Sequence, residues 1–214
     1  VVAANVTGVG TARYGLAAAG YGTDKAIFGF GWTGSGSRIA TTNLVSSSGV
    51  VASDTTGVGT GREAPGAAGY GGDKAIFAFG APSGYTNVSN LVSNLGVVAT
   101  DTAGVGTARA TAATGYGTDK AIFAYGYNGG NLSLSNLVSN LGVVASDTTG
   151  VGTPRRQIAA AGYGGDKALF GYGYVSGKVS MTNLVNNSGV VAADVTGVGT
   201  ARYDLAAAGY SISA

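Results

Sequence analysis

The stretch GYGTDKAIFGFG at residues 20–31 returns as GYGGDKAIFAFG at 69–80, GYGTDKAIFAYG at 115–126 and GYGGDKALFGYG at 162–173. A second phrase, GVGT, begins at Gly8, Gly57, Gly104, Gly150 and Gly197, so successive copies stand 49, 47, 46 and 47 residues apart by subtraction. A fixed period of this length marks an array of like structural units. Glycine supplies 40 of the 214 residues, yet it recurs at set places between apolar runs, which is not how low-complexity chain is built.

Each unit reads as four short strands. In the first, strand a is LAAAGYG from Leu16, strand b is KAIFGFGW from Lys25, strand c is TTNLVSSS from Thr41 and strand d is GVVASDT from Gly49. Gly22-Thr23-Asp24 has the chemistry of a tight hairpin, because Gly and Asp tolerate positive φ. A helical period is absent, and glycine recurs throughout the chain. Strand b carries Ile27 on one pleat face and Phe28 and Phe30 on the other, so neighbouring units are expected to cover both sides. Strand a is almost all Ala and Gly, which suits the crowded hub of radially arranged sheets. The expected fold is all-β: a β-propeller of four-stranded blades with a repeat of about 47 residues. A β-solenoid is the runner-up, but its coils are usually shorter. Strands b and c occur four times, whereas a occurs five times, the last around Leu205–Tyr210, and d five times, the first at Val1–Val6. Four full repeats plus an incomplete closing blade are therefore expected.

A chain of 214 residues buries roughly 70% of its unfolded surface in one domain, and residues 1–214 read as a single one. Its start, VVAANV, reads as that of a processed chain or a piece of a longer one. Charged residues are 10% of the chain and the net charge is +2, which argues against nucleic acid as a partner. No apolar run approaches the length that spans a bilayer, so membrane insertion is not expected. There is no cysteine, hence no disulfide or thiolate site.

Arg13, followed by LAAAGYGTDKAIFGFG and then TNLVSSSGVV, resembles a kelch repeat: an arginine, small residues, a hairpin, an apolar strand ending in glycine and a second hairpin. The strand ending differs, with Gly29-Phe30-Gly31 where kelch repeats usually carry a Gly-Gly pair, and Leu44-Val45 stands where their later Tyr falls. The near-verbatim phrases, DKAIFGYG-like and NLVSNxGVVxxDTxGVGTAR-like, are also similar to repeat proteins predicted in tailed phages of aquatic bacteria. That resemblance implies a virion or tail context, outside the cell.

The copies differ from one another in few places. Lys25 to Asn43 spans 18 residues where the other three copies give 16, and Arg109 to Tyr116 spans 7 where the others give 8, by subtraction. These segments are the b–c connection and the approach to strand a, and in an up-down blade both fall on one face of the disk. Of 22 charged residues, 17 repeat; the other five, Arg38, Glu63, Arg156, Lys178 and Asp204, all lie in those variable segments. A rigid scaffold with varied loops on one face is a common way to build a binding site. The expected ligand residues are Trp32, Arg38, Tyr85, Asn87, Tyr127, Asn128, Asn131, Tyr174 and Lys178, whose aromatic rings can stack on sugars while Asn, Arg and Lys supply hydrogen bonds. The aromatics serve equally well as packing at blade edges. The recurring Arg13, Arg62, Arg109, Arg155 and Arg202 have two chemical uses: a ring that holds an anion near the channel, or ties from blade to blade through Asp54 and its equivalents. The Asp-Lys turns, such as Asp24-Lys25, read as solvated hairpin ends, and Asp54-Thr55-Thr56-Gly57 as an Asx turn rather than a metal loop.

Catalysis has little to work with: no His, no Cys and one Glu, with Glu63 and Asp204 as isolated odd carboxylates. The kelch-like copper oxidases use histidine and cysteine ligands, so the resemblance carries no activity across, and neither cofactor nor metal is expected. GVGTAR lacks the lysine and spacing of a phosphate-binding loop. The expected function is non-catalytic attachment to a glycan or host-surface ligand. The alternative is a purely structural virion or filament component that docks on neighbouring virion proteins, or on copies of itself, through its constant surface.

Overall fold

The computed structural model describes residues 7–209, and the first d segment, Val1–Val6, lies outside them. The described chain is all-β and forms four antiparallel sheets of three strands each. Repeat one holds β1 (Ala17–Tyr21), β2 (Lys25–Gly29) and β3 (Thr42–Val45); repeat two holds β4 (Gly66–Tyr70), β5 (Lys74–Ala78) and β6 (Ser89–Val92). Repeat three holds β7 (Ala110–Tyr116), β8 (Lys120–Tyr127) and β9 (Asn131–Val138), and repeat four β10 (Ala159–Tyr163), β11 (Lys167–Tyr174) and β12 (Lys178–Val185). The register is common to all: Tyr21 faces Lys25 and Phe28 faces Asn43, as Tyr70 faces Lys74 and Phe77 faces Asn90. Gly22 and Thr23 both take positive φ, 57° and 69°, so the a–b turn has the handedness that two-residue hairpins prefer.

The fourth strand differs from expectation. Segment d meets strand c at two isolated bridges per repeat, Thr42 with Thr55 and Val45 with Val51 in the first, and forms no continuous ladder. Side chains supply the reason. The Asn43 amide donates to the Ala52 carbonyl at 3.2 Å and to Asp54 Oδ1 at 2.9 Å, taking the bonds that a regular backbone pairing would make. The same asparagine bonds recur at Asn90, Asn136 and Asn183.

Strand b ends in a bulge. Phe30, Phe79, Tyr125 and Tyr172 sit at φ between 61° and 64°, the left-handed region that costs a side-chain-bearing residue about 1–2 kcal/mol. Burial of the ring between repeats offsets that cost: Phe30, Phe79 and Tyr125 are wholly buried. Each ring meets the b-strand aromatic of the following repeat, Phe30 with Phe77 at 5.1 Å, Phe79 with Phe123 at 5.3 Å and Tyr125 with Phe170 at 5.6 Å. Around them cluster Ile27, Ile76 and Ile122, all fully buried, so the expected core is present with two exceptions. Phe28 is 36% exposed and Leu169 is only half-buried. Phe28 faces outward from the first sheet and Leu169 from the last, where no further sheet of the described chain covers them.

Successive repeats are joined at their first strands, which pack in the order β1, β4, β7, β10. Backbone bonds stitch the turns together: Gly22 N donates to Asp73 O, Gly71 N to Asp119 O and Gly117 N to Asp166 O, each at 2.7 Å. The recurring arginine forms the second seam. Arg62 lays its guanidinium 4.0 Å from the Phe30 ring of the preceding repeat, and its carbonyl accepts from Gly31 N at 2.8 Å. Within its own repeat, Arg62 Nη2 donates to Asn90 Oδ1 at 2.8 Å. Asn90 in turn holds Asp101, which accepts from Thr60 N at 3.0 Å and Thr60 Oγ1 at 2.6 Å. This Thr-Arg-Asn-Asp clamp recurs with Thr11, Thr107 and Thr153. Gly59 is required at its centre, with φ of +82° and a notional Cβ only 2.3 Å from Asp101 Oδ1.

Candidate functional site

The variable segments assemble side by side, and their geometry comes from the residue just after each arginine. Tyr14 bridges to Trp32, Glu63 to Ala81 and Arg156 to Tyr174, so the approach to strand a pairs with the end of strand b. In repeat three the same pairing is built into the strands, Ala110 with Tyr127. The next residue turns the chain sharply: Gly15, Ala64, Gln157 and Asp204 all have positive φ, between 50° and 63°. Three of these four carry side chains, and backbone held in so sparsely populated a region concentrates at functional sites.

Two groups of side chains result. In the first, Trp32 lies 5.1 Å from Tyr14 and 5.4 Å from the Arg38 guanidinium, and Arg38 donates twice to Glu63 Oε1, at 3.1 and 2.7 Å. The second is a row that crosses repeats. Tyr85 meets Tyr127 edge-on at 6.1 Å; Arg156 lies 4.5 Å from Tyr127 and 5.0 Å from Tyr174; Tyr174 meets Tyr203 at 5.5 Å, and Lys178 stands 5.8 Å from Tyr203. Beside the row opens a cavity of about 590 Å³ with Pro65, Ala112 and Ile158 on its apolar wall and Tyr127, Arg156, Gln157 and Asp204 on its polar one.

The sequence-derived residues divide accordingly. Tyr85, Tyr127, Tyr174 and Lys178 come together in the row, and Trp32 and Arg38 in the first group. Asn128 is exposed at the tip of the β8–β9 turn. Asn87 acts as a brace, its amide donating to Gly106 O at 2.7 Å. Asn131 links two hairpins by donating to Val175 O at 3.0 Å. Tyr14, Arg156, Gln157 and Tyr203 were not among the expected ligand residues, although each stands directly after a recurring arginine or one residue beyond.

The arginines behave as ties. The side chain of Arg13 is 4% exposed, and Arg62, Arg109 and Arg155 are wholly buried. Most of their donors go to protein acceptors: Arg109, for example, donates to Thr107 O, Tyr125 O and Asn136 Oδ1, while Arg62 Nε is buried without a partner among the described residues. Burial lowers the Arg62 and Arg109 pKa values to about 10, which leaves both charged at neutral pH. An anion ring at these four positions is set aside on that geometry. Arg202 is different: it is exposed, its guanidinium lies 4.2 Å from the Tyr172 ring, and among the described residues its side chain donates one hydrogen bond, to Thr200 O at 3.4 Å.

On the opposite face the a–b turns surround a larger opening of about 810 Å³, walled by residues of all five a segments from Gly20 to Gly209. The lysines of the a–b turns are locally neutralised, each against the preceding aspartate: Lys25, Lys74, Lys120 and Lys167 lie 2.8–3.3 Å from Asp24, Asp73, Asp119 and Asp166. No protein-family model matches the chain, and neither does any curated protein.

Proposed function

We propose that the chain is a non-catalytic recognition module, a β-propeller of four-stranded blades that binds a glycan or other surface ligand through the face of its variable segments. The propeller reading is supported by the side-by-side order of the first strands and by one opening walled by all five a segments. It counts the bridged d segments as fourth strands and treats Leu205–Gly209 as the inner strand of an incomplete closing blade. The observation that carries the functional reading is the aromatic and cationic row from Tyr85 to Lys178. Its rings come from repeats two, three and four and from the segment after Arg202, and the positions they occupy vary between copies, with Ala81 where repeats three and four carry Tyr127 and Tyr174. Stacked aromatics with directional polar groups beside them are what sugar recognition requires. Display on a virion or tail, the context that the phage resemblance implies, would multiply weak single-site binding by avidity.

The test is a glycan array with the Tyr85→Ala, Tyr127→Ala, Tyr174→Ala triple variant. Binding should disappear while the melting temperature shifts by no more than a few degrees. Binding that survives this triple change but is lost when Lys25, Lys74, Lys120 and Lys167 are replaced would move the working surface to the constant face.

One observation favours a structural role instead. The c–d turns raise a repeated apolar rim, with Leu95 and Leu141 exposed at 78% and 77%. Docking through that rim would make Leu95→Ser with Leu141→Ser abolish assembly and leave any glycan binding intact.

A further inference from the structure

Among the arginines of this protein, Arg156 and Arg202 stand apart; Arg202 lies 4.2 Å from the Tyr172 ring and outside the 590 Å³ cavity, whereas Arg156 is on its wall. Arg13, Arg62, Arg109 and Arg155 are consumed inside the clamps, and Arg38 is held by Glu63. Arg156 has no ion pair and donates no side-chain hydrogen bond among the described residues. It is nonetheless held in place, with the Tyr127 ring 4.5 Å away and the Tyr174 ring 5.0 Å away. A guanidinium kept by rings leaves its N–H groups unspent, in a planar fork that matches carboxylate and other oxyanions.

The surroundings supply the rest of a subsite. Arg156 is on the wall of the 590 Å³ cavity, a volume within the usual range for small-ligand sites. Pro65, Ala112 and Ile158 offer apolar surface, and Tyr127 a ring face. Gln157 Nε2 donates to Asp204 Oδ2 at 2.8 Å, so these two side chains fix each other and keep a carbonyl and a second carboxylate oxygen for hydroxyl donors. The cavity therefore carries one cationic side chain, Arg156, and one carboxylate, Asp204, which is already engaged by Gln157. Ala64, Gln157 and Asp204, all at strained positive φ, line the same cavity.

We infer that this cavity takes an acidic sugar, a pyranose carrying a carboxylate or sulfate, with the anionic group on the Arg156 guanidinium and the sugar ring against Tyr127. The inference rests on the reading of the variable face as a recognition surface and adds the ligand class. Lys178, near Tyr203 and without an ion pair among the described residues, extends the positive end of the row toward a second acidic unit of an oligosaccharide.

Titration calorimetry of the full chain tests it with three probes at low salt: an oligogalacturonate, a sulfated galactan oligosaccharide and a neutral galactan oligosaccharide. An acidic probe should bind, with affinity falling as salt is raised, and Arg156→Gln should weaken it about tenfold or more without changing the circular-dichroism spectrum. Lys178→Gln, outside the cavity lining, should weaken a longer oligomer of whichever acidic probe binds more than a shorter oligomer of the same probe. The two acidic probes identify whether carboxylate or sulfate is the group bound. Binding of the neutral probe alone, indifferent to Arg156→Gln, would overturn the acidic assignment and leave the recognition face standing. If no sugar binds at all, both readings fail together.

Discussion

The interior junctions and the two outer faces of the repeat array are made from the same residues and behave differently. Phe77, Phe123 and Phe170 are fully buried against the preceding repeat, whereas their counterpart Phe28 is 36% exposed. Tyr21, Tyr70 and Tyr116 are 4–5% exposed, and their counterpart Tyr163 is 37% exposed. The interior tyrosines are capped by the c–d turn of the following repeat; a Cβ on Gly96 would lie 2.9 Å from Tyr21 Oη, which is why only glycine fits that turn. Burial here belongs to the junction and not to the strand, so stability should track how many neighbours a repeat has. That is the pattern expected of arrays in which each unit contacts only the next.

The largest difference should appear at the clamp. Removing Arg109 strands Asn136 Oδ1 in a buried seam and takes the cation from Asp147, and Arg109→Ala is expected to cost about 3–5 kcal/mol. Arg202, exposed and nearly unbonded, should lose about 0.5 kcal/mol or less on the same change. Urea denaturation of the two variants measures both. Equal losses would mean that Arg202 is clamped as tightly as the interior arginines.

The phenylalanines give a narrower contrast. Phe77→Ala should cost about 3–5 kcal/mol, because it empties a junction filled from both sides, and Phe28→Ala about 1 kcal/mol. A Phe28→Ala loss matching that of Phe77→Ala would show that another surface covers the first repeat in solution.

Much of this was legible in the sequence. The strands a, b and c were, since a period of 46–49 residues and an alternating pattern are local signals. The a–b turn was readable from Gly-Thr-Asp chemistry. The reduction of strand d was not, because it depends on Asn43 reaching across to Ala52 and Asp54, a competition between side chain and backbone that no local pattern records. Nor was the bulge: Gly29-Phe30-Gly31 gives no sign that Phe30 takes a left-handed conformation and turns its ring into the seam. That bulge sets which residues meet beyond it, so the pairs Tyr14 with Trp32 and Arg156 with Tyr174 were hidden as well. Length and charge marked the variable segments and Arg156 as one of their non-repeating charges, but nothing in the sequence set it apart as the arginine that the tyrosines hold.

A small, pH-dependent effect belongs to the clamp aspartates. Burial pushes the Asp101 carboxyl up, but hydrogen bonds from Thr60 and Asn90 and the charge of Arg62 outweigh it and hold the group below the ordinary carboxylate range. For Asp54 the Thr11 and Asn43 hydrogen bonds dominate and the direction is the same. A carboxyl depressed in the folded state stabilises the fold above its unfolded value, about 3.9, and that contribution is lost as pH falls through the folded value. Acid unfolding should therefore set in below about pH 4, with no comparable loss between about pH 5 and 8. Because the carboxylate is largely open to solvent, Asp101→Asn should cost only about 1 kcal/mol at pH 7. The gap between wild type and variant should narrow as pH falls and close once the wild-type carboxyl is protonated. Melting curves at stepped pH measure this directly. A gap that stays constant into acid would assign the loss to packing at the Thr60 turn and not to the charge of Asp101.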